Sequence, residues 1–279
     1  MKLPENIQQQ VELALIEDIG NGDVTADLIP ENNQSQANVV CRDNAILCGV
    51  SWFNEVFKQI DPNIKIKWNF QDGDSIRANS VICSLSGNAR AILSGERAAL
   101  NFVQSLSATA TLTNEFVAKI KSTTTQILDT RKTIPNLRDA QKYAVLCGGG
   151  KNHRIGLYDM ILIKENHIMA AGSITAAVTQ AKKLHPKVKV EVEAETIEEY
   201  REASNAGADI VMLDNFDLDL MRDTVVENSD SNKKVILEAS GGVRLDTVSD
   251  IAGTGVDFIS VGEITKDIKA VDLSMRFEI

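Results

Sequence analysis

The strongest constraint on the fold is an alternation of short apolar runs and amphipathic segments from about residue 125 onward. The six runs are QILDT (126–130), MILIK (160–164), VKVEVE (188–193), DIVMLD (209–214), VILEAS (235–240) and DFISVG (257–262). Continuous apolar runs are typical of parallel strands buried on both faces, and their alternation with helices indicates βαβ units. Because a full barrel needs eight strands, six runs predict an incomplete α/β barrel rather than a doubly wound sheet.

The first 108 residues have a different pattern, which predicts an α+β module preceding a barrel domain over residues 109–266. A helix is expected over residues 6–18, followed by short strands, with a hairpin turning at Asp43-Asn44 in ANVVCRDNAILCGV. Another helix is expected to begin near Ser94. That start would place Arg97 in the first turn, where a cation opposes the helix dipole and could instead bind an anion.

Charge and composition exclude several classes of protein. The chain of 279 residues carries 29 Lys+Arg against 39 Asp+Glu, a net charge of -10, which disfavours binding to nucleic acid or anionic lipid. The opening residues do not form a signal peptide, and no stretch approaches the roughly 20 apolar residues of a membrane span. The four cysteines form no CxxC pair, so we expect reduced, packing cysteines and a cytoplasmic protein.

Every apolar run ends in a polar residue or a glycine. These residues are Arg131 and Lys132, Lys164, Glu193, Asp214, Ser240-Gly241-Gly242 and Gly262. One polar residue at the end of a strand is ordinary, but ligands bind at the carboxyl edge of parallel α/β sheets. The whole set therefore predicts an active site at this edge.

The positive charges concentrate between Asp129 and Lys164, where seven basic residues stand against three acidic ones. Arginine binds carboxylates through paired hydrogen bonds and lysine acts as a point charge, so the cluster favours a planar acid with two carboxylates. His153 could donate a further hydrogen bond to a carboxylate. For Lys164 a second interpretation stays open, a Schiff-base lysine in a barrel lyase.

Glu193 and Asp214, on neighbouring predicted strands, could share Mg²⁺ or ribose hydroxyls. The alternative is a pair of acids in ion pairs with Lys164 or Arg131. The two glycine-bearing strand ends, each expected to precede a helix, favour a phosphate site. No GxGxxG follows the first strand, which argues against a dinucleotide fold.

Longer motifs carry a resemblance to a known family. The segments EDIGNGDVTADLIP, GERAALNFVQSLSATAT, ILDTRKTIPNLRDAQKYAVLCGGGKNHRIGLYDMILIKENHI, VEVEAETIEEYREASNAGADIVMLDNF, LEASGGV and FISVGEIT resemble nicotinate-nucleotide pyrophosphorylase (carboxylating), also called quinolinate phosphoribosyltransferase. The resemblance runs nearly end to end. It implies transfer of phosphoribosyl from PRPP to quinolinate with Mg²⁺, with loss of pyrophosphate and CO₂ to give nicotinate mononucleotide for NAD synthesis.

The resemblance also implies roles for individual residues. Quinolinate would be bound by Arg97, Arg131, Lys132, His153, Arg154 and Lys164; metal and ribose by Glu193 and Asp214; phosphate by Ser240, Gly241, Gly242 and Gly262. Lys132, Lys164, Glu193 and Asp214 would be catalytic. It further implies a homodimer in which the partner chain supplies Arg97, and an α/β-sandwich module that residues 267–279 rejoin.

One position departs from the family pattern, since Lys266 stands where a histidine is usual. A lysine can still contact phosphate, and if Lys266 does so, Lys266→Ala should raise the KM for PRPP; no change would mean that Lys266 is a surface residue. Three rivals remain: a ModD-like phosphoribosyltransferase of the same fold with another acceptor, the barrel lyase using Lys164, and an inactive phosphate-binding protein. The complete set of cations and the two carboxylates disfavour all three.

Overall fold

The computed structural model describes residues 2–278. In chain order its first elements are α1 (Ile7–Ile19), a 3₁₀ turn (Ala26–Leu28), β1 (Gln34–Cys41), β2 (Ala45–Ile46), α2 (Val50–Ile60), β3 (Lys65–Trp68), β4 (Ser75–Ile76), β5 (Ser80–Asn88), α3 (Ala89–Lys119), β6 (Gln126–Leu128) and α4 (Arg138–Cys147). They are followed by β7 (Ile161–Ile163), α5 (Glu165–Ala171), α6 (Ile174–Leu184), β8 (Val190–Ala194), α7 (Ile197–Ala206), β9 (Ile210–Asp214), α8 (Leu218–Asp230), β10 (Ile236–Ser240), α9 (Val248–Ala252), β11 (Phe258–Ser260), α10 (Glu263–Lys266) and β12 (Leu273–Phe277). Within these residues, no helix combines the length and the apolar character that crossing a bilayer requires.

The chain divides into two compact units. Unit 1 comprises Met1–Asn114, Thr133–Gly149 and Ile264–Ile279, and unit 2 comprises Glu115–Lys132 and Gly150–Glu263. The sequence placed residues 109–266 in the barrel domain, but the structure groups the segment around α4 with unit 1. The reason is that α4 contributes Ala140, Tyr143 and Ala144 to the apolar core of unit 1.

Unit 1 contains an antiparallel sheet in the order β12-β1-β5-β3 and a separate pair, β2-β4. The hairpin expected at Asp43-Asn44 is wrong, because β1 pairs with β5 and β12, whereas β2 pairs with β4. The C-terminal segment holds this turn instead. The amide of Arg42 donates to the carbonyl of Asp272, and the carboxylate of Asp43 accepts from the amide of Asp272 at 2.9 Å.

The helix expected near Ser94 begins five residues earlier, at Ala89. The side chain of Asn88 accepts a hydrogen bond from the amide of Ala91 at 3.1 Å and so caps the first turn. Arg97 therefore lies in the third turn of α3, exposed to solvent, and not at a helix start. The argument from the helix dipole does not apply to it.

Unit 2 is built on six parallel strands in the order β6-β11-β10-β9-β8-β7. All six predicted runs form strands, and among residues 2–278 no ladder joins β7 to β6, so the sheet is an incomplete barrel. Ser173 and Thr196 stand just before helix-like segments of the sequence, where N-caps are expected. Both are confirmed, because Ser173 accepts from the amide of Ala176 at 3.0 Å and Thr196 from that of Glu199 at 3.2 Å. The strands and helix N-caps of unit 2 are therefore determined by local sequence patterns, as the sequence predicted.

Candidate active site

A cavity of about 320 Å³ lies at the carboxyl ends of the strands of unit 2. Residues two apart on one strand face the same side of a sheet, and three of the strand ends each supply such a pair. The cavity is lined by Leu162 and Lys164, Met212 and Asp214, Glu238 and Ser240, and further by Glu193, Ser260, Thr130, Arg131, Lys132, His153 and Arg154. The carboxyl edge thus carries the polar residues, as the sequence indicated.

The structure brings together eight of the predicted site residues in this one cavity. They are Arg131, Lys132, His153, Arg154, Lys164, Glu193, Asp214 and Ser240. The loop glycines Gly241, Gly242 and Gly262 follow the lining strands β10 and β11 within two residues. Arg97 and Lys266 belong to unit 1, and Lys266 forms an exposed ion pair with Asp267 at 3.1 Å.

Two guanidinium groups at the cavity repel each other. Burial lowers the pKa of Arg154 from its ordinary value, and the nearby charge of Arg131 lowers it further. Arginine nevertheless stays protonated in proteins. Two like charges held together in a half-buried cavity are stabilised when an anion binds between them, so this pair is suited to a carboxylate ligand.

Lys164 and Glu193 form an ion pair at the rim, with Nζ of Lys164 on Oε2 of Glu193. This is the contact that the alternative interpretation of the acids predicted. Both side chains also line the cavity, so they are available to a ligand that competes for either charge. The ion pair and a binding role are therefore compatible.

Asp214 is oriented by its neighbour Asn215. Nδ2 of Asn215 donates to Oδ2 of Asp214 at 2.8 Å, and the amide of Asn215 donates to the carbonyl of Ser240 at 3.0 Å. Asn215 adopts a left-handed backbone with φ of 58°, and Gly241 packs directly against it with φ of 96°. This contact joins the carboxylate of β9 to the glycine loop of β10.

The glycine loops differ in part from the prediction. After Gly242 the chain runs five residues before α9, a helix of only 5 residues, whereas α10 begins directly after Gly262 with 4 residues. Neither helix is long enough for a strong dipole. Phosphate binding here would depend on loop amides, and the absence of a Cβ at Gly262 leaves room for Lys132, whose Cδ would otherwise meet it at 3.2 Å.

The imidazole of His153 points to two buried carboxylates. Its Nε2 lies 2.9 Å from Oε2 of Glu191 and 3.4 Å from Oε2 of Glu238, while its Nδ1 accepts from the amide of Arg154 at 2.8 Å. Burial alone would lower the pKa of His153, but the two carboxylates outweigh burial and raise it. The hydrogen bond from the amide of Arg154 opposes that rise in pKa. It needs the free electron pair of Nδ1, which protonation of the ring would remove.

Sequence reasoning missed Glu191 and Glu238, which are fully buried. Burial raises the pKa of Glu191 to about 7, with a further contribution from the charge of Glu238 and a partial offset by His153. A signal existed, since both acids interrupt otherwise apolar strands two residues before a predicted site residue. Asn215 was also missed, and its side chain gave no comparable signal.

Comparison with family models matches both halves of the chain. Residues 23–107 match the model "Quinolinate phosphoribosyl transferase, N-terminal domain", and residues 109–276 match "Quinolinate phosphoribosyl transferase, C-terminal domain". Together these models cover most of the 279 residues.

Known proteins match over nearly the full length. A Bacillus subtilis protein named probable nicotinate-nucleotide pyrophosphorylase (carboxylating) is 44% identical over 261 residues, 93% of this chain and 89% of that one. A Nicotiana tabacum protein named quinolinate phosphoribosyltransferase (decarboxylating) 2b, mitochondrial, is 39% identical over 294 residues. The match covers 98% of this chain and 82% of that protein. The structure of the nicotinate-nucleotide pyrophosphorylase from Francisella tularensis superimposes with a TM-score of 0.95, 51% identity and coverage of 99% and 98%.

Proposed function

The chain belongs to the quinolinate phosphoribosyltransferase family, and we propose that the cavity of unit 2 is where it transfers phosphoribosyl from PRPP to quinolinate. The observation that carries this proposal is the convergence of cations and carboxylates on one cavity. In the reaction the bond from C1′ to pyrophosphate breaks as the bond from C1′ to the ring nitrogen forms. The 2-carboxylate then leaves as CO₂, and C2 takes up a proton to give nicotinate mononucleotide in de novo NAD synthesis.

The cations of the cavity have two tasks in this proposal. Arg131 and Arg154 hold the two carboxylates of quinolinate, which relieves the repulsion between the guanidinium groups. Lys132 and Lys164 add positive charge and hold the pyridine nitrogen against C1′. Because the two reacting atoms are already held together, the entropic contribution to the activation free energy is lower. As CO₂ leaves, electrons gather on C2 beside a cationic ring nitrogen, so no general acid is required for that step.

Glu193 and Asp214 fit a magnesium site. Both are oxygen donors on neighbouring strands at the cavity, and Mg²⁺ is usually held by one or two carboxylates together with substrate phosphates. When bound, Mg²⁺ stabilises the negative charge of the departing pyrophosphate. Asn215 keeps Asp214 oriented, while Ser240, Gly241, Gly242 and Gly262 offer loop groups to the phosphates. Lys266 is proposed as a further phosphate contact.

The test of the activity uses quinolinate, PRPP and Mg²⁺, and follows CO₂ and nicotinate mononucleotide together. Nicotinic acid, which lacks the second carboxylate, is the control acceptor. We expect product from quinolinate only. Equal use of both acceptors would contradict the dicarboxylate role of the cations, and turnover of neither would favour a ModD-like acceptor or an inactive binding protein. The barrel lyase predicts a borohydride-trapped adduct at Lys164, which we do not expect.

We also propose a homodimer in which Arg97 reaches the site of the partner subunit. The support is the family's pattern together with the exposed position of Arg97 on α3. Arg97→Ala and Lys132→Ala should each be inactive alone. Random mixing gives about half heterodimers, each with one intact site, so about a quarter of wild-type activity should return. No recovery in mixed dimers would show that Arg97 acts within its own chain.

We propose a cytoplasmic location for the enzyme. All four cysteines are free and buried, as suits a reducing compartment. Fractionation of the source cells, followed by immunoblotting with an antibody to the chain, would test the location directly.

A further inference from the structure

Two carboxylates lie inside unit 2 without exposure to solvent. Glu191 and Glu238 are each 0% exposed. Acidic side chains are almost never fully buried unless they are paired, and an unpaired buried charge is costly. Among residues 2–278, neither carboxylate receives a well-aligned hydrogen bond, and the group at ion-pair distance from both is the imidazole of His153.

The sheet register places both acids at the floor of the site, where Glu238 also lines the cavity. Glu191 precedes Glu193 by two positions on β8, and Glu238 precedes Ser240 by two on β10. Because side chains alternate along a strand, each acid faces the same side as the rim residue that follows it. Both acids therefore lie directly beneath residues that line the upper cavity.

His153 connects these two acids to Arg154. Its Nε2 contacts the two acids, and its Nδ1 accepts from the amide of Arg154 at 2.8 Å. An Nδ1 that accepts a hydrogen bond leaves the proton on Nε2, so the imidazole donates to the carboxylates. A protonated Nε2 cannot be a metal ligand, which argues against a second metal site among these three side chains.

The loop that carries Arg154 is held from a second side by Asp129. The carboxylate of Asp129 accepts from Nδ2 of Asn152 at 2.7 Å and from the amide of His153 at 2.9 Å. The guanidinium of Arg154 then donates to the carbonyl of Met160 at 3.3 Å. The backbone of His153 is held by Asp129 and its ring by the two acids. His153 therefore fixes the position of the backbone at Arg154, the next residue.

We propose that Glu191 and Glu238 are positioning residues for the acceptor site: they hold the ring of His153 in the barrel interior, and His153 in turn sets Arg154 toward a carboxylate of the acceptor. In this arrangement His153 contacts protein groups through both ring nitrogens and acts on the ligand through Arg154. The inference rests on the proposed function for the identity of the acceptor, but the contact among the three side chains does not depend on it.

The kinetic test compares Glu191→Gln and Glu238→Gln with Glu227→Gln. The control makes the same change of charge in unit 2 but at a surface pair, where Glu227 binds Arg201 at 2.8 Å. Each variant leaves the other buried carboxylate beside His153, so the imidazole keeps a charged partner and these variants should fold. We expect the KM for quinolinate to rise about tenfold or more in the two buried variants, with the KM for PRPP and kcat within about threefold of wild type.

A second measurement does not depend on activity. The chain has three histidines, so ring ¹⁵N signals of His153 can be assigned with a His153→Gln variant of the labelled full-length protein. These signals should shift in Glu191→Gln and Glu238→Gln and stay in place in Glu227→Gln. Unchanged His153 signals, or equal rises in both KM values, would overturn the proposal. A wild-type enzyme that ignores quinolinate would instead refute the proposed function and leave the ring signals to decide the positioning role.

Discussion

Both units bury aromatic rings, but among residues 2–278 the fully buried carboxylates all lie in unit 2. In unit 1 the fully buried Trp52, Phe53 and Phe57 pack together in the core, and Nε1 of Trp52 donates to Gln10 at 2.7 Å. In unit 2 the acids Asp129, Glu191 and Glu238 are all 0% exposed. Burying a carboxylate costs free energy that burying a ring does not, so the buried acids of unit 2 are explained by its site, whereas the rings of unit 1 are explained by stability. Substitutions in the two interiors should therefore have different consequences.

Of the substitutions that compare the two units, Gly241→Ala in unit 2 should lower activity most. Gly241 has φ of 96°, and an added Cβ would overlap the side chain of Asn215 and lie 2.9 Å from its backbone nitrogen. Because Asn215 orients Asp214, we expect kcat/KM for PRPP to fall about 100-fold or more. The matched control is Gly207→Ala, which has φ of 90° but open space around the Cβ. The control should lose about 1 kcal/mol of stability and keep its activity. Equal losses of activity in both variants would attribute the effect to backbone strain alone.

Phe57→Ala tests the other side of the comparison. Phe57 is 1% exposed in the core of unit 1, and truncation of a buried Phe lowers the free energy of unfolding by about 3–5 kcal/mol. Urea unfolding should show this loss, while both KM values stay unchanged at temperatures where the variant is folded. A selective rise in one KM value would show that the apolar core also tunes the site.

Asp72→Asn sharpens the comparison through pH, because Asp72 is a partly buried acid in unit 1. Burial raises its pKa despite hydrogen bonds from the amides of Val50 and Gly49 and from the hydroxyl of Tyr143. An acid with a raised folded pKa stabilises the fold at low pH and loses that contribution as pH rises above 3.8. Relative to Asp72→Asn, the wild type should therefore lose stability as the pH rises above 3.8. Urea titrations at each pH measure this, and parallel curves would contradict it.

The smallest effect is expected from Lys266→Ala. If Lys266 contacts phosphate, the KM for PRPP should rise severalfold, as for the loss of one exposed charge. Lys269→Ala, an exposed lysine three residues further along, is the control. Identical KM values for the two variants would assign Lys266 to the surface and leave its ion pair with Asp267 as its only described role.

The parts predicted from the sequence are those fixed by local patterns. The six strands of unit 2 follow from continuous apolar runs, and Ser173 and Thr196 cap helices through bonds three residues away. The hairpin at Asp43-Asn44 failed because the partners of β1 lie far along the chain, in β5 and β12. The residues of the turn could not show that distant strands compete with β2 for pairing with β1.

The same limit applies to the site. The polar ends of the strands predicted most of the cavity lining, because parallel strands all end at one edge. Glu191 and Glu238 were missed because their role depends on a contact with the imidazole of His153, which lies on a loop and reaches both carboxylates. Pairing of that kind is set by the barrel's register and not by spacing along the chain.

Unit 1 is assembled from both ends of the chain, and this affects how the protein can be synthesised. Strand β12 pairs with β1 from Ala37 opposite Phe277 to Cys41 opposite Leu273. On a ribosome, all residues of unit 2 are made before β12, so the barrel can begin to fold while β1 still has an open edge. Such an edge invites wrong pairing with neighbouring nascent chains. A stop codon ahead of Leu273 would make that exposed edge permanent.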